Sequence, residues 1–203
     1  MPSALIVGAG PAGATLAYLL AHRGVDVTLL ERQLDFSREF RGEILMPSGV
    51  MAIEEMGLND SMAGVSRQVQ KSISMYLNGR RIFKQELTAD VLKKIPVQAI
   101  SQPEFLEMVV SEAGKSPRFH LLRGASVKEL LFEGERVVGV RARTEAGEEI
   151  FHADVVVGAD GRAAVVRKQG GFTERAPRPS SCARCVRPPS RNRGRCCREG
   201  SSA

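Results

Sequence analysis

The sequence predicts an α/β protein: a parallel sheet with helices, to which an antiparallel meander is added. Three observations carry this. Ala4-Leu5-Ile6-Val7 is a short apolar run that ends in glycines and leads through a helical stretch to a second apolar run, the order of a strand–helix–strand unit. Between residues 119 and 152, short segments are separated by Glu133-Gly134 and Ala146-Gly147, as in strands joined by tight turns. Asp154-Val155-Val156-Val157 then returns to an apolar run closed by Gly158, the composition of a parallel strand covered on both faces.

The elements follow in order. Residues 4–7 form the first strand and 11–23 the first helix, with Pro11 in its first turn, where a missing N–H costs little, and Gly24 after its end. Residues 25–30 form the second strand. Residues 48–57 read as a helix ending at Gly57. Ser72–Leu77 alternates and is followed by Asn78-Gly79, then by 81–87; Asn-Gly between two such runs is a strong hairpin signal. Residues 103–113 read as a helix. Four strands, 119–122, 126–132, 136–144 and 149–152, are expected to form the meander. After the strand at 154–157 a short helix is expected at 163–168.

Charge separates the chain into two parts. The whole chain carries a formal net charge of +6. Residues 174–203 hold eight Arg and two Glu, so they supply 8 − 2 = +6, and the rest is neutral. All four Cys lie in this stretch. The body, without Cys, has no disulfide framework. The basic balance therefore says nothing about the body. The early apolar stretch lacks a basic start and is broken by Gly8, Gly10, Pro11 and Gly13, which argues against a signal peptide or a membrane span. The expectation is a soluble, cytoplasmic protein.

Gly8-Ala9-Gly10-Pro11-Ala12-Gly13 matches G-x-G-x-x-G between a strand and a helix. The first glycine makes a tight turn, the second lets backbone approach a pyrophosphate, and the third lets helix and sheet pack closely. Phosphates then meet free N–H groups at the positive end of the helix dipole. Glu31 follows the second strand, 18 residues after Gly13, where a carboxylate can accept ribose hydroxyls. A second feature is Gly158-Ala159-Asp160-Gly161, which delivers an acceptor and a turn at the carboxyl end of a strand.

Gly8–Gly13 with Glu31, Arg41-Gly42-Glu43 leading to Met56-Gly57-Leu58, and the stretch 158–167 together resemble the FAD-dependent aromatic monooxygenases of the para-hydroxybenzoate hydroxylase type. The resemblance runs in order through residues 3–172. It implies a Rossmann-like FAD-binding domain at 1–173, with the first strands of a substrate-domain sheet at 71–100. It implies FAD as cofactor, NAD(P)H as co-substrate and hydroxylation of an aromatic or similar small organic substrate. Related flavin reductases and halogenases share much of the pattern. Carried over residue by residue, Gly8, Gly10, Ala12 and Gly13 would cradle the pyrophosphate. Glu31 would hold the adenosine ribose, with Arg32 beside it. Arg41 would lie near the pyrophosphate, and Gln102, opening a helix, would reach the flavin side. Backbone at Val127 would border the adenine. Asp160 would contact the ribityl region and help with NAD(P)H. Ala164 stands where the family usually has Ser, which removes one local hydrogen bond. No acid, base, nucleophile or metal ligand is assigned.

The family also carries a Gly-Asp pair after a later strand, and no Gly-Asp dipeptide occurs in this sequence. Residues 174–203 contain one large aliphatic side chain, Val186, and are expected to be disordered. Their cysteines make a poor zinc site, with an adjacent pair at Cys196-Cys197 and no His. Their arginines lack interleaved aromatics, which argues against nucleic acid. Arg, Pro, Ser, Cys, Gly and Ala with few aliphatics is the composition of a GC-rich gene read out of frame, and the tail reads as a frameshifted, prematurely ended product. Two functional readings stay open: a flavin monooxygenase sequence, or an inactive or binding-only FAD/ADP-binding fragment.

Overall fold

A computed structural model of the chain describes residues 1–37, 44–88, 95–161 and 164–172. Arg41, Arg162 and the stretch 173–203, with the disorder expected there, lie outside the described residues. Met1–Phe172 forms one compact unit.

The chain begins with β1 (Ser3–Val7), α1 (Pro11–His22) and β2 (Asp26–Glu31). A short β3 (Ile44–Leu45) leads into α2 (Pro47–Glu55) and a 3-10 turn at Ser61–Gly64. Next come β4 (Arg67–Val69), β5 (Ser72–Leu77), β6 (Arg80–Glu86) and β7 (Gln98–Ile100). Then follow α3 (Gln102–Ala113), β8 (Phe119–Arg123), β9 (Ser126–Glu133), β10 (Arg136–Thr144), β11 (Gly147–His152), β12 (Val155–Gly158) and α4 (Val165–Gln169).

The central sheet is parallel, in the order β12-β1-β2-β8. Its two faces are covered differently, because successive side chains on a strand point to opposite sides. Ile6, Val27 and Leu29 join the cluster built with α1, α2 and α3, including Ala14, Ala17, Ile53, Leu106 and Val109. Leu5, Val7 and Leu30 pack instead with Ala125, Val127, Leu130, Val140 and Ala142 of the meander and with Val166 of α4. The result is three layers: helices, parallel sheet, antiparallel sheet.

The expected meander is shorter by one strand. Its sheet has the order β11-β10-β9, while β8, expected as its first strand, pairs in parallel with β2 from Val27↔Phe119 to Glu31↔Arg123. The reason is packing on both faces. Phe119 and Leu121 lie against the helical cluster and Leu122 against the meander cluster. Gly124, at φ 71°, then turns the chain out of the sheet.

A second small sheet, in the order β3-β7-β4, is antiparallel. The hairpin β5-β6 turns at Asn78 (φ 49°) and Gly79 (φ 76°), the left-handed pair that such turns require. Every residue of both strands is exposed, including Met75 and Phe83, which sit opposite each other.

Candidate nucleotide site

The glycine loop is built by close backbone approach. Gly8, at φ 99°, donates its N–H to Leu30 O at 2.7 Å, and a Cβ there would come within 2.6 Å of Ala159 O. A Cβ on Gly13 would overlap the carbonyl oxygen of Gly8. These two glycines are therefore required by the fold itself. Gly10 is different. It caps α1 with ordinary backbone angles, and the space where its Cβ would stand is open. That opening, in front of the N–H groups of the first turn of a 12-residue helix, fits a pyrophosphate approaching backbone. Ala12 lies exposed in that turn.

Glu31 ends β2 and is 4% exposed. Its Oε2 accepts the Ala9 N–H at 2.8 Å and its Oε1 accepts the Gln33 N–H at 3.0 Å. The carboxylate is thus oriented by the glycine loop on one side and by the following loop on the other. A carboxylate oxygen can accept more than one donor. Arg32 beside it is exposed.

Asp160 is brought to the same place, because its Cα would lie 2.9 Å from a Cβ on Gly8. The Ala159 N–H donates to Val7 O at 2.8 Å, which extends the β12–β1 pairing up to the loop. The Asp160 side chain has a structural task that the sequence reading did not assign. Its Oδ2 accepts the Val165 N–H at 2.6 Å and the Val166 N–H at 3.3 Å, so it caps α4. Ala164, at the cap position, makes no side-chain bond. The carboxylate does the work that a hydroxyl at residue 164 would otherwise share.

Gln102 is half-buried and opens α3 behind β7, as the expectation of a helix-opening residue requires. Val127 is 8% exposed, and its side chain belongs to the meander cluster. Among the described residues its strand is paired on one side, by β10. Arg41, the remaining candidate, lies outside the described residues.

Two side-chain pairs with no local sequence signal brace the sheet, one at the starts of its strands and one at their ends. Ser3 and Asp154 clasp the starts of β1 and β12: Asp154 Oδ2 accepts the Ser3 N–H at 2.8 Å and the Ser3 hydroxyl at 2.9 Å. The Ser3 backbone and side-chain donors hold the Asp154 carboxyl below its ordinary pKa. Arg123, at the end of β8, forks onto Glu107 of α3 at 2.7 and 2.6 Å and lowers the Glu107 pKa. Its guanidinium carbon also lies 4.6 Å from the centre of the Phe36 ring. A cleft of about 480 Å³ opens nearby, lined among others by Asp35, Phe36, Val65, Glu104, Glu107 and Met108. It shares no residue with the glycine loop or with Asp160, so it is not part of the cradle.

Among the described residues, no helix is long and apolar enough to cross a membrane.

Known proteins resemble the chain in sequence and in fold. The chain is 33% identical over 172 residues to a 6-methylpretetramide 4-monooxygenase of Streptomyces rimosus, covering 82% of this chain and 40% of that protein. It is 32% identical over 158 residues to squalene epoxidase 4 of Arabidopsis thaliana, covering 77% of this chain and 31% of the relative. The chain thus spans well under half the length of these relatives. A crystal structure of P. aeruginosa PqsL in complex with 2-aminobenzoylacetate superposes with a TM-score of 0.71 at 24% identity, over 88% of this chain and 48% of that one, a likeness of fold. A family model described as "FAD binding domain" matches residues 2–186. Glycine cradle, oriented carboxylate, three-layer fold and family match converge, and the chain belongs to the FAD binding domain family.

Proposed function

We propose that the chain is the FAD-holding part of an NAD(P)H-dependent flavin monooxygenase that acts on an aromatic or similar small organic substrate in the cytoplasm. The observation that carries this is the pairing of an open Gly10 position with a buried Glu31 carboxylate oriented by Ala9 and Gln33. The α1 end and Gly10 hold the pyrophosphate, with Gly8, Ala12 and Gly13 shaping its bed. Glu31 accepts the adenosine ribose hydroxyls, and Arg32 flanks them. Arg41 serves the pyrophosphate and Gln102 the flavin side. The Val127 backbone borders the adenine, and Asp160 supports the ribityl end. The domain extends over 1–173, with 71–100 as the first strands of a substrate-domain sheet, and 174–203 is a separate tail. When bound, FAD supplies hydride acceptance and oxygen activation; the protein positions it.

A second reading, an inactive or binding-only fragment, is favoured by the β5-β6 hairpin, which is exposed along its whole length. One titration separates them. The purified chain is mixed with FAD, and flavin fluorescence and NADPH consumption are followed. Binding with turnover supports the monooxygenase; binding without turnover supports the fragment; no binding sinks both. For the tail, the DNA decides: if neither alternative frame past codon 172 encodes a Gly-Asp pair after an apolar strand, the frameshift reading fails.

A further inference from the structure

The loop that follows Glu31 is held by one side chain from a distant part of the chain. In the parallel register Arg123 stands opposite Glu31, at the ends of β8 and β2. Its two terminal nitrogens engage the two oxygens of Glu107, at 2.7 and 2.6 Å. The face of the same guanidinium lies 4.6 Å from the ring centre of Phe36, which is 2% exposed. Nη1 also reaches Leu34 O at 3.4 Å. Backbone continues the attachment, since Gly124 N–H donates to Gln33 O at 3.3 Å and Ala125 N–H to Glu31 O at 2.9 Å. Gln33, Leu34 and Phe36 are thus fastened in succession to β8 and α3. The anchored segment includes the Gln33 N–H that Glu31 Oε1 accepts at 3.0 Å.

A planar guanidinium can fork onto a carboxylate and stack on a ring at once; an ammonium cannot. The pair is partly exposed, at 28% for the Arg123 side chain and 49% for Glu107, and exposed pairs add little to folding stability. Its effect is on where the loop stands.

We propose that Arg123 is a positioning residue for the adenosine half of the dinucleotide: by clamping Leu34 and Phe36 against α3 it fixes the Gln33 amide, and through it the Glu31 carboxylate, in the orientation that accepts the ribose hydroxyls. This rests on the reading of Glu31 as the ribose acceptor, and the test keeps the two apart.

The full 203-residue chain and its Arg123→Ala, Arg123→Lys and Glu107→Gln variants are titrated calorimetrically with ADP and with 2′,3′-dideoxy-ADP. The parent chain prefers ADP by about tenfold or more, the worth of one or two hydrogen bonds to a charged acceptor. Arg123→Ala loses most of that preference, through weaker ADP binding, while its affinity for the dideoxy analogue stays within about twofold of the parent. Arg123→Lys and Glu107→Gln fall between, because each breaks the fork. Glu107→Gln preserves side-chain shape and asks the same question from the α3 side, whatever Arg123→Ala does to folding. A variant set that keeps the parent's ADP preference overturns the positioning role while the Glu31 reading stands. Equal loss for both ligands also overturns it, since that is general loosening. A parent chain that binds both ligands alike, or binds neither, removes the Glu31 reading and this inference with it.

Discussion

The N–H of Ala9, in the glycine loop, donates to Glu31 Oε2 across 2.8 Å in a buried setting. This bond joins the loop after β1 to the end of β2, so the carboxylate is a structural member before any ligand arrives. Glu31→Ala leaves the Ala9 and Gln33 amides without their acceptor and is expected to cost about 2–4 kcal/mol. Glu31→Gln, which keeps one acceptor oxygen, costs less. Guanidinium unfolding of the variants measures both.

Two glycines of one motif are expected to fail in opposite ways. Gly13→Ala forces a methyl group into the Gly8 carbonyl, and rigid backbone cannot yield cheaply, so a loss of about 3 kcal/mol or more is expected. Gly10→Ala meets open space at ordinary backbone angles, and stability should change by less than about 1 kcal/mol. Its cost is expected in binding, with ADP affinity down about tenfold or more as the methyl occupies the pyrophosphate approach. Parallel melts and ADP titrations separate the two.

Asp160 offers a choice between a cap and a ligand contact. Asp160→Ala removes the acceptor for the Val165 and Val166 amides and is expected to cost about 1–2 kcal/mol. Asp160→Asn keeps a capping oxygen and should melt close to the parent. Weakened FAD binding in Asp160→Asn, at unchanged stability, would then report the ribityl contact directly.

Acid stability should depend on the Ser3–Asp154 clasp. The folded state holds the Asp154 carboxyl below its ordinary pKa. Stability from it is therefore present above the unfolded-state value and is lost as pH falls through the folded one. Asp154→Asn is expected to flatten the decline of melting temperature below about pH 4. An unchanged acid limb in that variant would remove Asp154 from the account.

Met75 and Phe83 face each other on a hairpin exposed along both strands, next to strand edges that invite pairing. Concentration-dependent association is expected in sedimentation, and Met75→Lys with Phe83→Lys should reduce it. A parent chain that stays monodisperse at high concentration contradicts this.

Local signals in the sequence located the elements well where they were strong. Pro11 and Gly24 bracket α1, Asn78-Gly79 marks the hairpin, and β10 runs from Arg136 to Thr144 between the turns at Glu133-Gly134 and Ala146-Gly147. They failed where partners are distant. Phe119–Arg123 sits next to the meander in sequence, yet packing on both faces draws it to β2. The strands β3, β4 and β7 are two or three residues long, too short for a period to show. In the site, the glycines and Glu31 carry a motif. Arg123 and Glu107 carry none, because their pairing exists only once β8 and α3 are side by side. Asp160 was visible as a residue, but its bond to Val165 depends on how the intervening turn folds.

The Ser3–Asp154 clasp has a consequence for synthesis. The two residues are 151 positions apart, and the β1–β12 register continues from Ala4↔Val155 to Val7↔Gly158. The glycine loop therefore leaves the ribosome about 150 residues before Ala159, which braces it. At about 5–20 residues per second, the nascent chain spends several seconds with β1 and β2 made but Leu5, Val7 and Leu30 still uncovered. During that interval the loop lacks the strand that closes it, and a nucleotide offered then would meet a half-built bed.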